Sequence, residues 1–452
     1  VALAAGAVST GGCSGGSEQT APPPKTITVQ NALDPASCRD CHVAAYEQWL
    51  GSMHAYAADD PVFIAMNRRG QEETNGELGS LCVSCHAPMA VRTGATTDGL
   101  NLEEVPQYLK GVTCYFCHSV DAVEGTHNNP LRLADDLVMR GGIVDPVDNP
   151  YHESAYSELL DGNQIGPSSS MCGSCHDVVL DNDVHLERTY LEWQESIFGN
   201  GSPGGLSCND CHMPSQPGPV AIQEGMPERT IHDHLMPGVD VALTPWPNSD
   251  LNRSRVEREL FGAIIGQICV LPPLIATDIE VTLDNAFSGH SFPSGAAHDR
   301  RVWVEVMAYD ENDALVYSVG DIDEGEAVAT RGKQNPELWE VRDFVFGPTD
   351  DPDDHFFWEI ARYETALLEQ ADSPTDIHSQ TRIFSVPLNA GAVSRATLRV
   401  RIRPMGREIL EDLVSTGHLA AEIVDRVPTF EVVGPVEWRL DRDGYGCVPE
   451  SI

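Results

Sequence analysis

The chain has 452 residues, 69 of them acidic and 28 basic, with a formal charge of −41 and only 7% aromatic side chains. That length admits two or three domains, and that charge excludes nucleic acid as a partner, because phosphates are repelled. The acid is spread along the chain rather than gathered in one block, which reads first as solubility in salty or acidic surroundings and second as steering toward a basic redox partner.

Residues 1–30 open with small apolar residues, reach Cys13, and continue through Ser-Gly-Gly-Ser and Ala-Pro-Pro-Pro. This pattern is similar to the end of a bacterial lipoprotein signal followed by a flexible tether, with Cys13 as the lipidated residue. It implies an exported protein, periplasmic or at the cell surface, either touching the membrane through a lipid anchor only or exported without one. The apolar run is too short to span a bilayer.

Residues 31–270 carry five copies of one pattern: Cys38-x-x-Cys41-His42, Cys82-x-x-Cys85-His86, Cys114-x-x-Cys117-His118, Cys172-x-x-Cys175-His176 and Cys208-x-x-Cys211-His212. Two thiols about one helical turn apart reach the two vinyl groups of a porphyrin, and the adjacent imidazole lies over the iron as its proximal ligand. Structural zinc explains the thiols but not the His after every second Cys. The expected cofactors are five covalently bound haem c groups. With five porphyrins filling the core, this region is expected to be a loop-rich, mainly α multihaem cytochrome domain.

Eleven further His remain, and a low-spin electron-transfer haem takes a second axial His or Met. Tyr46, Trp49 and Ser52 after the first motif are echoed by Tyr190, Trp193 and Ser196 after the fourth, on one helical face each. The next equivalent position is His54 in one copy and Phe198 in the other, so His54 reads as placed for chemistry. His127 lies in Gly-Thr-His-Asn-Asn-Pro, a turn able to fold over a porphyrin, and His152 follows the rigid Asn-Pro-Tyr. His232 and His234 alternate on an extended segment, so only one points inward. His355, His378 and His418 read as surface residues, with His185 intermediate. Met53, Met213 and Met236 are alternative axial ligands, but the supply of His favours bis-His coordination of all five irons.

From about residue 276 the pattern becomes short alternating runs: 278–285, 301–309, 315–320, 341–346, 357–363, 382–388, 397–403 and 429–440. They predict an antiparallel β-sandwich over residues 271–452, with one amphipathic helix over 408–425. Cys269 at the junction and Cys447 in the tail are the thiols left over, and an exported protein favours a disulfide between them. Closing that long loop is worth on the order of 4 kcal/mol in the chain-entropy model. His290, in Ser-Gly-His-Ser-Phe-Pro-Ser-Gly, sits in an irregular loop that can carry an imidazole out of the β-domain into the haem region.

Residues 34–310 resemble the multihaem cytochromes related to cytochrome c554 and the hydroxylamine oxidoreductase family. The resemblance rests on Cys-His followed by Tyr-x-x-Trp-x-x-Ser-x-His, Gly-Val-Thr-Cys-x-x-Cys-His at the third motif, and Cys-Asn-Asp-Cys-His-Met-Pro at the fifth. Arg229 followed by His234, and the Gly289–Gly295 loop, are similar to a bacterial branch with an appended C-terminal β-domain. The resemblance implies paired haems passing electrons along a chain, with His54, His234 and His290 as distal ligands and His127 and His152 beside them. Hydroxylamine oxidoreductases carry more haems and a cross-linked catalytic one, and related nitrite reductases replace a proximal His by Lys. All five motifs here end in His, so those activities do not transfer. Electron transfer between redox proteins is the leading expectation. The alternatives are an oxidoreductase with one open iron acting on peroxide or a nitrogen oxyanion, and a haem-bearing subunit of a membrane complex or filament.

Overall fold

The computed structural model describes residues 26–349, 356–373 and 378–450. Cys13 and the tether expected around it lie outside the described residues, as does His355. No helix among the described residues is long and apolar enough to cross a membrane.

The haem region is built from short helices and two-stranded ribbons. Three helices matter most for the site: α1 (Val43–Gly51), α2 (Pro61–Glu73) and α3 (Thr189–Glu195). α2 starts where Asp60 accepts the Val62 amide and Pro61 supplies a preset first turn. Ribbons pair 120–123 with 131–133, 177–179 with 185–188, and 215–219 with 228–232 antiparallel, and 138–141 with 153–156 parallel. Strand is therefore more prominent here than a mainly α reading expects. The ribbons arise because the chain must return repeatedly across a cavity, and paired extended segments satisfy their own backbone groups while doing so.

The internal echo is a true structural repeat. Trp49 Nε1 donates to Val112 O (2.7 Å) and Trp193 Nε1 donates to Leu206 O (2.9 Å). Those two carbonyls stand two residues ahead of Cys114 and of Cys208 respectively. Ser52 and Ser196 each turn their hydroxyl back onto the Trp carbonyl, at 2.7 and 2.8 Å. Tyr46 and Trp49, and Tyr190 and Trp193, lie with ring centres 5.7 Å apart in both copies. Each helix thus clamps the entry to a later motif. Replacing Trp49 or Trp193 by Phe should keep the ring packing and leave one carbonyl short of its donor, at a cost of about 1–3 kcal/mol. Denaturant midpoints of the two variants check this, and equal, unshifted midpoints would remove the clamp from the account.

The C-terminal part holds β1 (Ile265–Val270), β2 (Ala276–Asp284), β3 (Arg301–Tyr309), β4 (Leu315–Val319), β5 (Trp339–Val341), β6 (Ser379–Pro387), β7 (Arg395–Arg403), β8 (Phe430–Arg439) and β9 (Gly446–Pro449). One antiparallel sheet runs β6-β2-β1-β9; the other runs β4-β3-β7-β8 with β5 also on β3. Inward residues of both sheets form one apolar core, with Ile268, Ile279, Val281, Val304, Leu398 and Val433 fully buried in it. Antiparallel strand dominates as expected, but β1 begins six residues before the expected boundary at 271. Its Ile-Gly-Gln-Ile-Cys-Val run is too short and too interrupted by Gly266 to stand out by alternation. The helix expected over 408–425 is two, Arg407–Ser415 and Ala421–Val424, because Gly417 adopts φ +80 between them. Cys269 and Cys447 face each other across β1 and β9 and are bonded.

The two regions meet through buried polar contacts. Ser294 Oγ donates to Glu192 Oε2 (2.6 Å), the Ser291 amide to the same oxygen (3.2 Å), and the Gly295 amide to Thr189 Oγ1 (3.0 Å). Arg188 Nη2 pairs with Asp343 Oδ2 at 2.8 Å, with Asp343 1% exposed. Gly289 and Gly295 adopt φ +72 and +70, backbone angles open to Gly at no steric cost, and so shape the loop that makes these contacts.

Candidate haem-binding site

Every motif folds as about one turn of helix, which is what brings its two thiols to one side. The His42, His86 and His176 amides each donate back to the carbonyl of the first Cys of their motif, at 2.9, 3.2 and 3.2 Å. The third and fifth motifs are the helices Cys114–Ser119 and Cys208–His212. The fifth is fixed by a capping box in which Ser207 and Asp210 exchange hydrogen bonds. Within the fourth motif Gly173 has to be small, since a Cβ there would lie 2.1 Å from the Tyr190 ring.

All ten motif thiols and all five motif imidazoles line one continuous cavity of about 1880 Å³. A single-ligand cleft is roughly 300–1,000 Å³, so this space suits several large cofactors. The Cys38 and Cys114 thiols are hydrogen-bond neighbours, as are Cys85 with Cys175 and Cys172 with Cys208. The charge of Cys117 is also felt at Cys172 and Cys175. The first motif therefore adjoins the third, and the fourth adjoins the second, third and fifth, giving a connected set with a branch at the fourth.

Four motif imidazoles each face a second imidazole. Ring centres are 6.2 Å apart for His42 and His152, 6.1 Å for His176 and His54, 6.4 Å for His118 and His234, and 6.5 Å for His212 and His290. Two metal–nitrogen bonds of about 2 Å, plus the half-width of each ring, place such centres roughly 6 Å apart, so the spacing fits one iron between each pair. Tautomers are set from behind. Nδ1 of His42 reaches Val220 O (2.7 Å), of His212 Pro237 O (2.8 Å), of His234 His232 O (2.9 Å), of His290 Ser291 O (2.9 Å) and of His152 Glu153 O (3.1 Å). A carbonyl at Nδ1 holds the proton there and leaves the Nε2 lone pair free for a metal. Burial, reinforced by neighbouring imidazoles, drives His54 down to about 3 and His176 and His234 to about 4, so these rings are neutral and able to coordinate.

His86 is the exception. Its Nδ1 reaches Ala57 O (3.3 Å), and its ring stacks on Phe63 of α2 at 4.0 Å; no second imidazole faces it among the described residues. His127, expected as a distal ligand, is not brought opposite any motif imidazole. Asn128 and Asn129 take left-handed conformations, Asn128 Nδ2 is bonded to Val179 O (2.7 Å), and the turn carries His127 outward beside His185, ring centres 6.5 Å apart. His185 Nε2 in turn lies 3.2 Å from Asp177 Oδ2. Of the alternating pair, His232 turns its Nδ1 to Met213 O (2.7 Å) while His234 faces His118. His378 and His418 lie against Asp284 and Glu72 at 3.3 and 3.1 Å. Sequence reasoning passed over two residues: His298 and Glu187 both line the cavity, and nothing in their local sequence marks them.

The family described as "Cytochrome c554 and c-prime" matches residues 37–119, the stretch holding the first three motifs. The fold is similar to that of a penta-heme cytochrome c552 from Thermochromatium tepidum, with a TM-score of 0.63 at 20% identity, over 90% of this chain and 99% of that one. No curated protein sequence matches. With the cavity and its motifs, these findings support a multihaem c-type cytochrome.

Proposed function

We propose that the chain carries electrons between redox proteins outside the cytoplasm, through five covalently attached haems. The supporting observation is the set of five motifs lining one cavity, with four of their imidazoles backed by a second imidazole at 6.1–6.5 Å. Haem iron supplies a one-electron couple. The chain's own residues hold each macrocycle by two thioethers, fix the imidazole tautomers through backbone carbonyls, and keep the cofactors close enough to exchange electrons. His152, His54, His234 and His290 would hold the irons of the first, fourth, third and fifth motifs from the side opposite the motif imidazole. Two neutral imidazoles keep potentials below those of a His/Met iron. Export and an anchor at Cys13 complete this reading.

A second reading is favoured by His86 alone. An iron held there without an opposing imidazole has a side open to a small molecule, which suits the oxidoreductase alternative at that one haem. The purified holoprotein tests both. Its mass should correspond to five haems, and its spectrum should contain four low-spin haems and one high-spin haem, with carbon monoxide binding a single reduced iron. Fewer than five haems would overturn the electron-wire reading. Five low-spin haems inert to carbon monoxide would leave the wire and remove the open iron.

A further inference from the structure

Glu187 has no role in holding or ligating a haem by the account above. It lies on the 185–188 strand of a ribbon, opposite Val178. The side chain is only half-buried, yet its exposed part opens into the haem cavity. Its carboxylate makes no hydrogen bond or ion pair among the described residues. The charged groups facing it come from three directions: Arg300 and Asp299 from the β-domain, Asp240 from the 235–248 segment, and Asp177 from the paired strand. Arg300 is already committed, with both Asp240 oxygens at 2.8 Å and Pro404 O at 2.9 Å. Three carboxylates against one tied-down guanidinium make this a site short of positive charge. It belongs to the second motif: the charge of Glu187 is felt at Cys82, and that of Asp240 at His86.

An electron arriving at an enclosed haem adds a negative charge where the dielectric is low, and that is costly unless a proton follows. We propose that Glu187 is the proton acceptor for the electron on the haem held by Cys82, Cys85 and His86. With haem bound there, Glu187 would take one proton from solvent, its carboxylate becoming the carboxylic acid, as one electron enters that haem from its neighbour, and would release the proton as the electron leaves. Burial already pushes the Glu187 carboxyl up to about 7, with Arg300 opposing and the three Asp residues reinforcing. The added electron raises it further. Between the oxidised-state and reduced-state values the midpoint potential falls as pH rises; below and above that window it is flat.

The proposal rests on the haem reading and is tested on the holoprotein, with haem content measured first so that a failure to load haem is distinguished from a failure of Glu187. Potentiometric titration from pH 5 to 9 should show one haem whose redox equilibrium shifts tenfold per pH unit around neutrality, 59 mV for one electron. In Glu187→Gln that haem should be independent of pH over the same range, and in Glu187→Asp the dependence should return with its window displaced. A slope that survives intact in fully loaded Glu187→Gln would assign the proton to a haem propionate and overturn the proposal, as would the absence of any pH-dependent haem in the unmodified protein.

Discussion

Replacing His290 by Ala should turn one haem of the five high-spin and leave the other low-spin haems unchanged. His290 is carried by the β-domain, yet its ring stands 6.5 Å from His212 and nearly parallel to it, at 11°. Among the described residues no other imidazole pairs with His212. The equivalent position in the helical repeat is Phe198, which lies against Gly289, 3.2 Å from where a Cβ would be. In the first copy of the repeat His54 faces His176 of the fourth motif from within the haem region; in the second copy it is His290 of the β-domain that faces His212 of the fifth. The loop is held independently of the imidazole by Asn285 Nδ2 on His290 O (2.8 Å) and by the Glu192 contacts. The variant should therefore fold and load haem, with loss of one distal ligand and a looser contact between the two regions. Electron paramagnetic resonance and the charge-transfer band of high-spin haem read the first, and hydrogen exchange across 285–295 reads the second. An unaltered low-spin spectrum would mean that the β-domain is attached for another reason.

How much of this was legible in the sequence depends on whether the signal is covalent and local. Cys-x-x-Cys-His is legible because two thioethers and an axial bond narrow the spacing to a short local pattern. His54 is legible because a repeat exposes it against Phe198; alternation narrows His232 and His234 to one, and only the family resemblance picks His234. His127 and His185 were not separable by sequence, since the decision lies in two consecutive left-handed Asn residues and a side-chain bond to Val179 some fifty residues away. The start of the β-domain was hidden because β1 offers only a six-residue run with a Gly inside it. Glu187 reads as one more acid among 69. Its burial is created by a cavity whose walls come from both regions of the chain, and no local pattern encodes that.

Removing the Cys269–Cys447 bond, by reduction or by Cys447→Ser, should cost about 5 kcal/mol, the chain-entropy value for residues 178 apart in sequence. For a β-domain of this size that corresponds to a midpoint lower by roughly 10–20 °C. The bond joins β9, the last strand, to β1, the first, where Cys447 is directly opposite Cys269. β9 is an edge strand of its sheet; without the bond its four residues are held by its ladder and by Glu450, whose carboxylate accepts the Gly434 amide at 3.1 Å and whose own amide donates to Gly266 O at 2.8 Å. Those contacts keep the strand in register in the folded state, so the loss falls mainly on the unfolded state, which gains the freedom of a long open chain. The haem spectrum should not move, since neither Cys269 nor Cys447 lines the cavity. A two-transition melt would result, the β-domain unfolding early while the haem region, tied by its thioethers, unfolds late. Should the β-domain midpoint stay within a degree or two of the oxidised protein, the strand contacts alone are sufficient and the bond serves only to protect the tail.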